Sequence, residues 1–120
     1  MGTEISWHVK LRIKAGQLGN FRALTGEMVA AAHREPGVLS YQRFITEDDT
    51  VVHVYERYRD SAAAAAHLEA FAKRFADRFS AMVERKTFMV FGHPSAELKA
   101  VLDRFNAMYL KPFGDFDYWA

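Results

Sequence analysis

Three side chains able to hold charge or move a proton lie close together in this chain: Glu56, Arg57 and His67. Histidine has the ordinary pKa nearest neutrality, so His67 is the natural acid or base of the group. Glu56 sits in a run from Thr50 to Tyr58 that is dense in β-branched and aromatic residues, the composition of a strand. The alanines after Ser61 give the strongest helix composition available. Asp60 or Ser61 stands at the joint, where an N-cap belongs. A strand therefore delivers Glu56 and Arg57 to its own end, and the following helix carries His67 about two turns along its length. The plainer roles are structural. A buried Glu56 needs a partner, and His67 can bond a nearby strand.

The elements that position this unit follow from periodicity. Ile5 to Ile13 alternates, with Ile5, Trp7, Val9, Leu11 and Ile13 on one face and Ser6, His8, Lys10 and Arg12 on the other. Trp7 is thus a core position that can also wall a cavity. His8 shares the polar side with His53 of the adjacent strand, at a subunit seam or a pocket. Leu18, Phe21, Leu24 and Met28 recur at helical spacing, and Pro36-Gly37 ends that helix. Val38 to Thr46 predicts a second strand, which Glu47-Asp48-Asp49 turns into a hairpin with the Thr50 strand. A helix, in one piece or two, follows to about Val83, with Leu68, Phe71, Phe75, Phe79 and Met82 as its apolar stripe. Thr87 to Gly92 predicts a fourth strand. The order βαββαβ gives an antiparallel sheet with two helices on one face.

Residues 1–92 form this unit, and residues 93–120 read as an extension packed on the same domain or on a partner subunit. Leu98, Val101, Leu102, Phe105 and Met108 or Tyr109 predict a third helix. The aromatic end, with Phe113, Phe116, Tyr118 and Trp119, reads as docked on its own domain or a neighbour's. Two helices leave one sheet face bare. That face holds members of the set Phe44, Tyr55, Met89 and Phe91, depending on register, and predicts a homodimer through sheet faces.

Composition narrows the functions. The chain of 120 residues is one domain with half its residues apolar. Its net charge is +1 with the signs interspersed, so there is no basic stripe for nucleic acid. The absence of cysteine removes disulfides, thiolate nucleophiles and zinc–cysteine sites. No His and carboxylate set has metal spacing, and no glycine-rich dinucleotide loop is present. No stretch has the length to span a bilayer. Met1 to Ser6 matches the loose myristoylation pattern, but strand residues follow at once. A cytoplasmic protein without membrane contact is expected.

Glu56-Arg57-Tyr58-Arg59-Asp60, the alanines and His67-Leu68 together resemble the E-x-[WY]-x-[DS]…A…H signature of the antibiotic biosynthesis monooxygenase domain family. Gly16, Glu35-Pro36-Gly37 and Tyr41 also sit where that family has them, and the similarity runs over about residues 5 to 92. The resemblance implies an α+β, ferredoxin-like dimeric α/β barrel. It further implies oxidation of a small aromatic, phenolic or quinol substrate by dioxygen, with no cofactor. Superfamily members that degrade haem use a first-strand asparagine and a second-helix tryptophan. Neither is present here, so haem degradation is a poor reading.

Cofactor-free oxygenation asks for a base, an aromatic chamber and a cation. The candidates are His67, His8 or His53 as base. Trp7, Tyr41, Tyr55, Tyr58, Phe71 and Phe75 are candidates for the walls, and Arg43 or Arg57 for the cation. His67 and Glu56 are the expected catalytic pair. Trp7, Tyr41, Tyr58, Phe71 and Phe75 are the expected substrate contacts. The alternatives are a non-catalytic ligand-binding or structural homodimer and a decarboxylase or isomerase relative. A filled space between helices and sheet would remove the enzyme reading.

Overall fold

The computed structural model describes residues 3–116. The elements run β1 (Ile5–Ile13), α1 (Leu18–His33), β2 (Val38–Ile45), β3 (Val51–Tyr58), α2 (Ser61–Arg74), α3 (Ala76–Met82), β4 (Val83–Phe91), α4 (Ala96–Leu102), a 3-10 turn (Asp103–Phe105) and β5 (Met108–Leu110). The sheet order is β2-β3-β1-β4-β5. The first four strands are antiparallel, and β5 joins β4 in parallel. This is the α+β ferredoxin-like fold, with one short strand added at the edge.

Register sorts the two sheet faces. Trp7 lies opposite Glu56 and Val90, and Val9 opposite Val54 and Phe88. Tyr41 faces Glu56 and Arg43 faces Val54 across the β2–β3 pair. These residues share the helix-covered face, where Ile5, Trp7, Leu11, Tyr58 and Val90 are buried against Phe21, Leu24 and Met28. The other face carries Ser6, His8, Tyr55, His53, Phe44, Met89 and Phe91. All four members of the apolar set from the sequence fall there. Among the described residues no helix covers them. His8 Nε2 and His53 Nδ1 meet there at 2.8 Å. Burial, then His53 and Lys10, pushes the His8 imidazole below its ordinary pKa.

Three expectations need correction. β4 begins at Val83, not Thr87, because the helix stops at Met82 and Val83 is already extended. The predicted third helix ends early: Asn106 turns left-handed at φ 56°, and Met108–Leu110 then pair with β4 as a strand. Phe113 is fully exposed, so of the two expected docking places for the aromatic end, its own domain or a neighbour's, the first does not hold at that residue. Tyr118, Trp119 and the Met1-Gly2 start of the myristoylation pattern lie outside the described residues.

The extension joins the main core. Ser95 caps α4, its Oγ accepting from the Leu98 N–H, and its own N–H donates to Ser61 Oγ at the start of α2. Leu98 and Leu102 are fully buried in the same apolar cluster as β1 and β3. Leu102→Ala should therefore lower the unfolding free energy by about 2 to 5 kcal/mol in one cooperative urea transition. A loss under about 0.5 kcal/mol, or a separate early transition, would show that α4 is not part of the core.

Candidate functional site

The Glu56 carboxylate is buried in the second strand of the sheet. Two neighbours answer it. Tyr58, two residues on and so on the same face, donates its hydroxyl to Glu56 Oε1. His67 Nε2 lies 3.5 Å from the same oxygen. The other imidazole nitrogen, Nδ1, lies 2.9 Å from Glu35 Oε1. That partner assigns the proton to Nδ1 and leaves Nε2 turned toward Glu56, since 3.5 Å is too long for a strong hydrogen bond.

Local folding makes this meeting possible. Asp60 caps α2 by accepting from the Ala63 N–H at 2.9 Å, which fixes where the helix starts. The turn from α1 into β2 passes directly beneath it. Gly37 has φ +87°, and a Cβ there would stand 2.6 Å from Ala63 Cβ. Only glycine lets the turn come so close. Glu35, two residues earlier, then reaches the imidazole.

A cavity lies beside this cluster, between the sheet and the helices. Trp7, Tyr41, Arg43, Glu56, His67, Phe71, Phe79, Phe88, Phe105 and Arg85 are among its walls. Its volume is about 50 Å³. A cavity that takes benzene is nearer about 150 Å³. The space is therefore neither solid nor, as it stands, wide enough for a ring.

The sequence-derived residues divide at this cavity. Glu56, His67, Trp7, Tyr41 and Phe71 line it. Tyr58 and Phe75 do not. Tyr58 is wholly buried behind Glu56, and Phe75 is buried beneath the guanidiniums of Arg74 and Arg78. His8, His53, Tyr55 and Arg57 belong to the opposite face, where Arg57 pairs with Glu4 at 3.2 Å. Of the two candidate cations, Arg43 is the one at the cavity. Its Nη1 donates to Thr25 Oγ1 and its Nη2 to the Tyr41 hydroxyl at 2.9 Å.

Sequence reasoning missed Glu35, Arg85, Phe88 and Phe105 as site residues. Glu35 carried a signal only through its place before Pro36-Gly37. Arg85 carried none, because a β-bulge brings it to this face. Lys10 pairs with Thr87 but Leu11 with Arg85, which leaves Lys86 as the extra residue.

Burial pushes the Tyr41 hydroxyl up to about 12; Arg43 works against this, and Glu56 adds to it. Burial, then Glu56, raises Tyr58 as well. Both remain neutral donors at any physiological pH. Because folding favours the protonated phenols, the stability Tyr41 contributes is complete below about pH 10 and is lost as pH rises through about 12, and that of Tyr58 is likewise lost only at alkaline pH. Absorbance at 295 nm should show late-ionising tyrosines in the folded protein at about pH 11 that ionise at once in guanidinium. Tyr41→Phe and Tyr58→Phe should each remove one of them. Complete ionisation of the folded wild type at that pH would contradict this environment.

Comparison with curated proteins finds no match. Among solved structures the fold resembles MupZ from Pseudomonas fluorescens, at 20% identity and a TM-score of 0.87, over 98% of this chain and 91% of that one. It also resembles a putative antibiotic biosynthesis monooxygenase from Nitrosomonas europaea, at 25% identity and a TM-score of 0.68, over 78% and 92% of the two chains. A third likeness is to SnoaB, a cofactor-independent oxygenase from Streptomyces nogalater, at 16% identity and a TM-score of 0.66, over 79% and 97%. The MupZ likeness, at 98% coverage, takes in the C-terminal extension. The antibiotic biosynthesis monooxygenase profile matches residues 5–85. That span holds Glu35, Glu56 and His67, and it is most of the chain: this protein belongs to the antibiotic biosynthesis monooxygenase family.

Proposed function

We propose that the cavity oxidises a small phenolic or quinol substrate with dioxygen and without a cofactor. The observation that carries this is the one-sided polarity of an aromatic chamber. Inside, Tyr41, Arg43, Glu56 and His67 lie along part of its wall and the rest is Trp7, phenylalanines and aliphatic side chains, while Arg85 stands at the mouth. A ring enters by displacing the half-buried Phe105 or Phe71.

In this reading Glu35 fixes the His67 tautomer, and Nε2 takes the phenolic proton, directly or through Glu56. Arg43 holds the phenolate. The bound anion is electron-rich enough to reduce oxygen itself. A phenol with a free ortho or para hydrogen and one O2 give a quinone and one water. One oxygen atom bonds to the ring carbon, the other leaves with two hydrogens, and the substrate supplies all four electrons. SnoaB, whose fold this chain shares, is described as a cofactor-independent oxygenase. The small size of the empty cavity favours the second reading, a non-catalytic ligand-binding or structural homodimer.

An oxygen electrode separates the two. Against a panel of hydroquinones and polyphenols, wild type should consume oxygen above the spontaneous rate and form the quinone. His67→Ala should cut the rate by about 10²- to 10⁴-fold. No uptake above background would favour the binding reading, and a fully active His67→Ala would remove His67 from the chemistry.

The bare sheet face supports a homodimer in the same reading. The row Gln42, Tyr55, His8, Met89 crosses its middle, and Phe44 is exposed at its edge. Light scattering should give twice the chain mass for wild type. Met89→Asp should shift it to the single-chain mass while circular dichroism is unchanged. A wild type that is monomeric at all concentrations would rule the dimer out.

A further inference from the structure

The two guanidiniums that line the cavity, Arg43 and Arg85, have no carboxylate partner within salt-bridge distance among the described residues. Arg43 bonds only neutral groups: the Thr25 and Tyr41 hydroxyls and, at 3.9 Å, Met28 Sδ. Its Nε is the buried side-chain nitrogen left without any acceptor among the described residues. A cation in an apolar chamber with a donor unanswered is costly unless something else supplies the negative end.

Arg85 stands at the opposite side. Arg43 is on β2 and Arg85 on β4, three strand spacings or about 14 Å apart at the backbone. Arg85 is exposed, so it marks the mouth, and its guanidinium lies 4.8 Å from the Phe105 ring centroid. Its neighbours in sequence do not serve it, since Glu84 pairs with Lys86 at 3.0 Å. Partial burial lowers its pKa, with no nearby acid to restore it. The bulge at Lys86 is what turns this cation toward the helices; regular alternation from Phe88 would have sent it to the bare face.

We propose that the cavity selects a ring bearing two acidic positions: a phenolic or enolic oxygen held at Arg43 inside and a carboxylate held at Arg85 at the mouth. This deepens the oxygenase reading and rests on the same chamber, but the anion preference is a binding property that stands or falls separately. Arg85 gives it specificity rather than chemistry. A neutral phenol meets Arg43 equally well and leaves Arg85 in water, whereas an acid gains a charge-assisted contact against the Phe105 ring.

Isothermal titration calorimetry on the full chain tests this with three acids of increasing length, 4-hydroxybenzoate, 4-hydroxyphenylacetate and 6-hydroxy-2-naphthoate, each beside its methyl ester. At least one acid should bind about tenfold or more tightly than its ester, the scale of a charge-assisted hydrogen bond. The preference should shrink as salt rises. Arg85→Gln, an exposed substitution checked by its melting temperature, should bring the acid-to-ester ratio near one with ester affinity unchanged. Arg43→Gln should weaken acid and ester alike. Equal binding of every pair, no binding by any of the three acids, or a preference that survives Arg85→Gln overturns the proposal. Oxygen uptake on the same six compounds tells the two readings apart. An acid preference without uptake keeps the anion site and removes the oxygenase; uptake of esters without an acid preference does the reverse.

Discussion

A carboxylate in the middle of a sheet constrains everything packed around it. Glu56 is buried on the helix face of β3, where an unanswered charge would cost several kcal/mol. Tyr58 can answer it because strand periodicity returns to the same face two residues on. His67 can answer it only if α2 starts at one particular place, which the Asp60 cap sets and the Gly37 turn permits. Glu35 then holds the far side of the imidazole. The fold's βα joint and the site's polar cluster are thus one arrangement, and moving either displaces the other.

Much of this arrangement was legible in the chain. The alternation in β1 and the break at Asp60 are strong local signals, and they placed Glu56, Trp7 and His67 on the right elements. Local signals fail where geometry depends on a partner strand. Tyr58 reads as a pocket aromatic by type, yet its hydroxyl is used on Glu56. Phe75 shares a helical stripe with Phe71, yet the helix breaks at Phe75 and turns it to a different contact. Arg85 looks like an open-face residue until the register slip at Lys86 is seen. The third helix was read as long because Met108 and Tyr109 keep its spacing; a single left-handed Asn106 ends that regularity, and propensity alone does not reveal it.

The two faces of the sheet carry different chemistry from the same strands. The helix side gathers the acid, the imidazole and a guanidinium around a small void. The bare side gathers two stacked imidazoles with their ring centres 5.0 Å apart, amid tyrosine, methionine and phenylalanine. Alternation keeps these sets separate, so a change on one side leaves the other's geometry intact while the backbone register holds.

The profile that defines the family stops at residue 85, while Phe88 and Phe105 help to enclose the void beyond it. Phe105 stacks on Phe88 at 5.8 Å from the C-terminal extension. The acid–imidazole cluster and part of the wall that bounds the void therefore lie on different stretches of chain. Exchanging the segment that carries Phe105 would reshape one side of the void and leave the acid–imidazole pair in place.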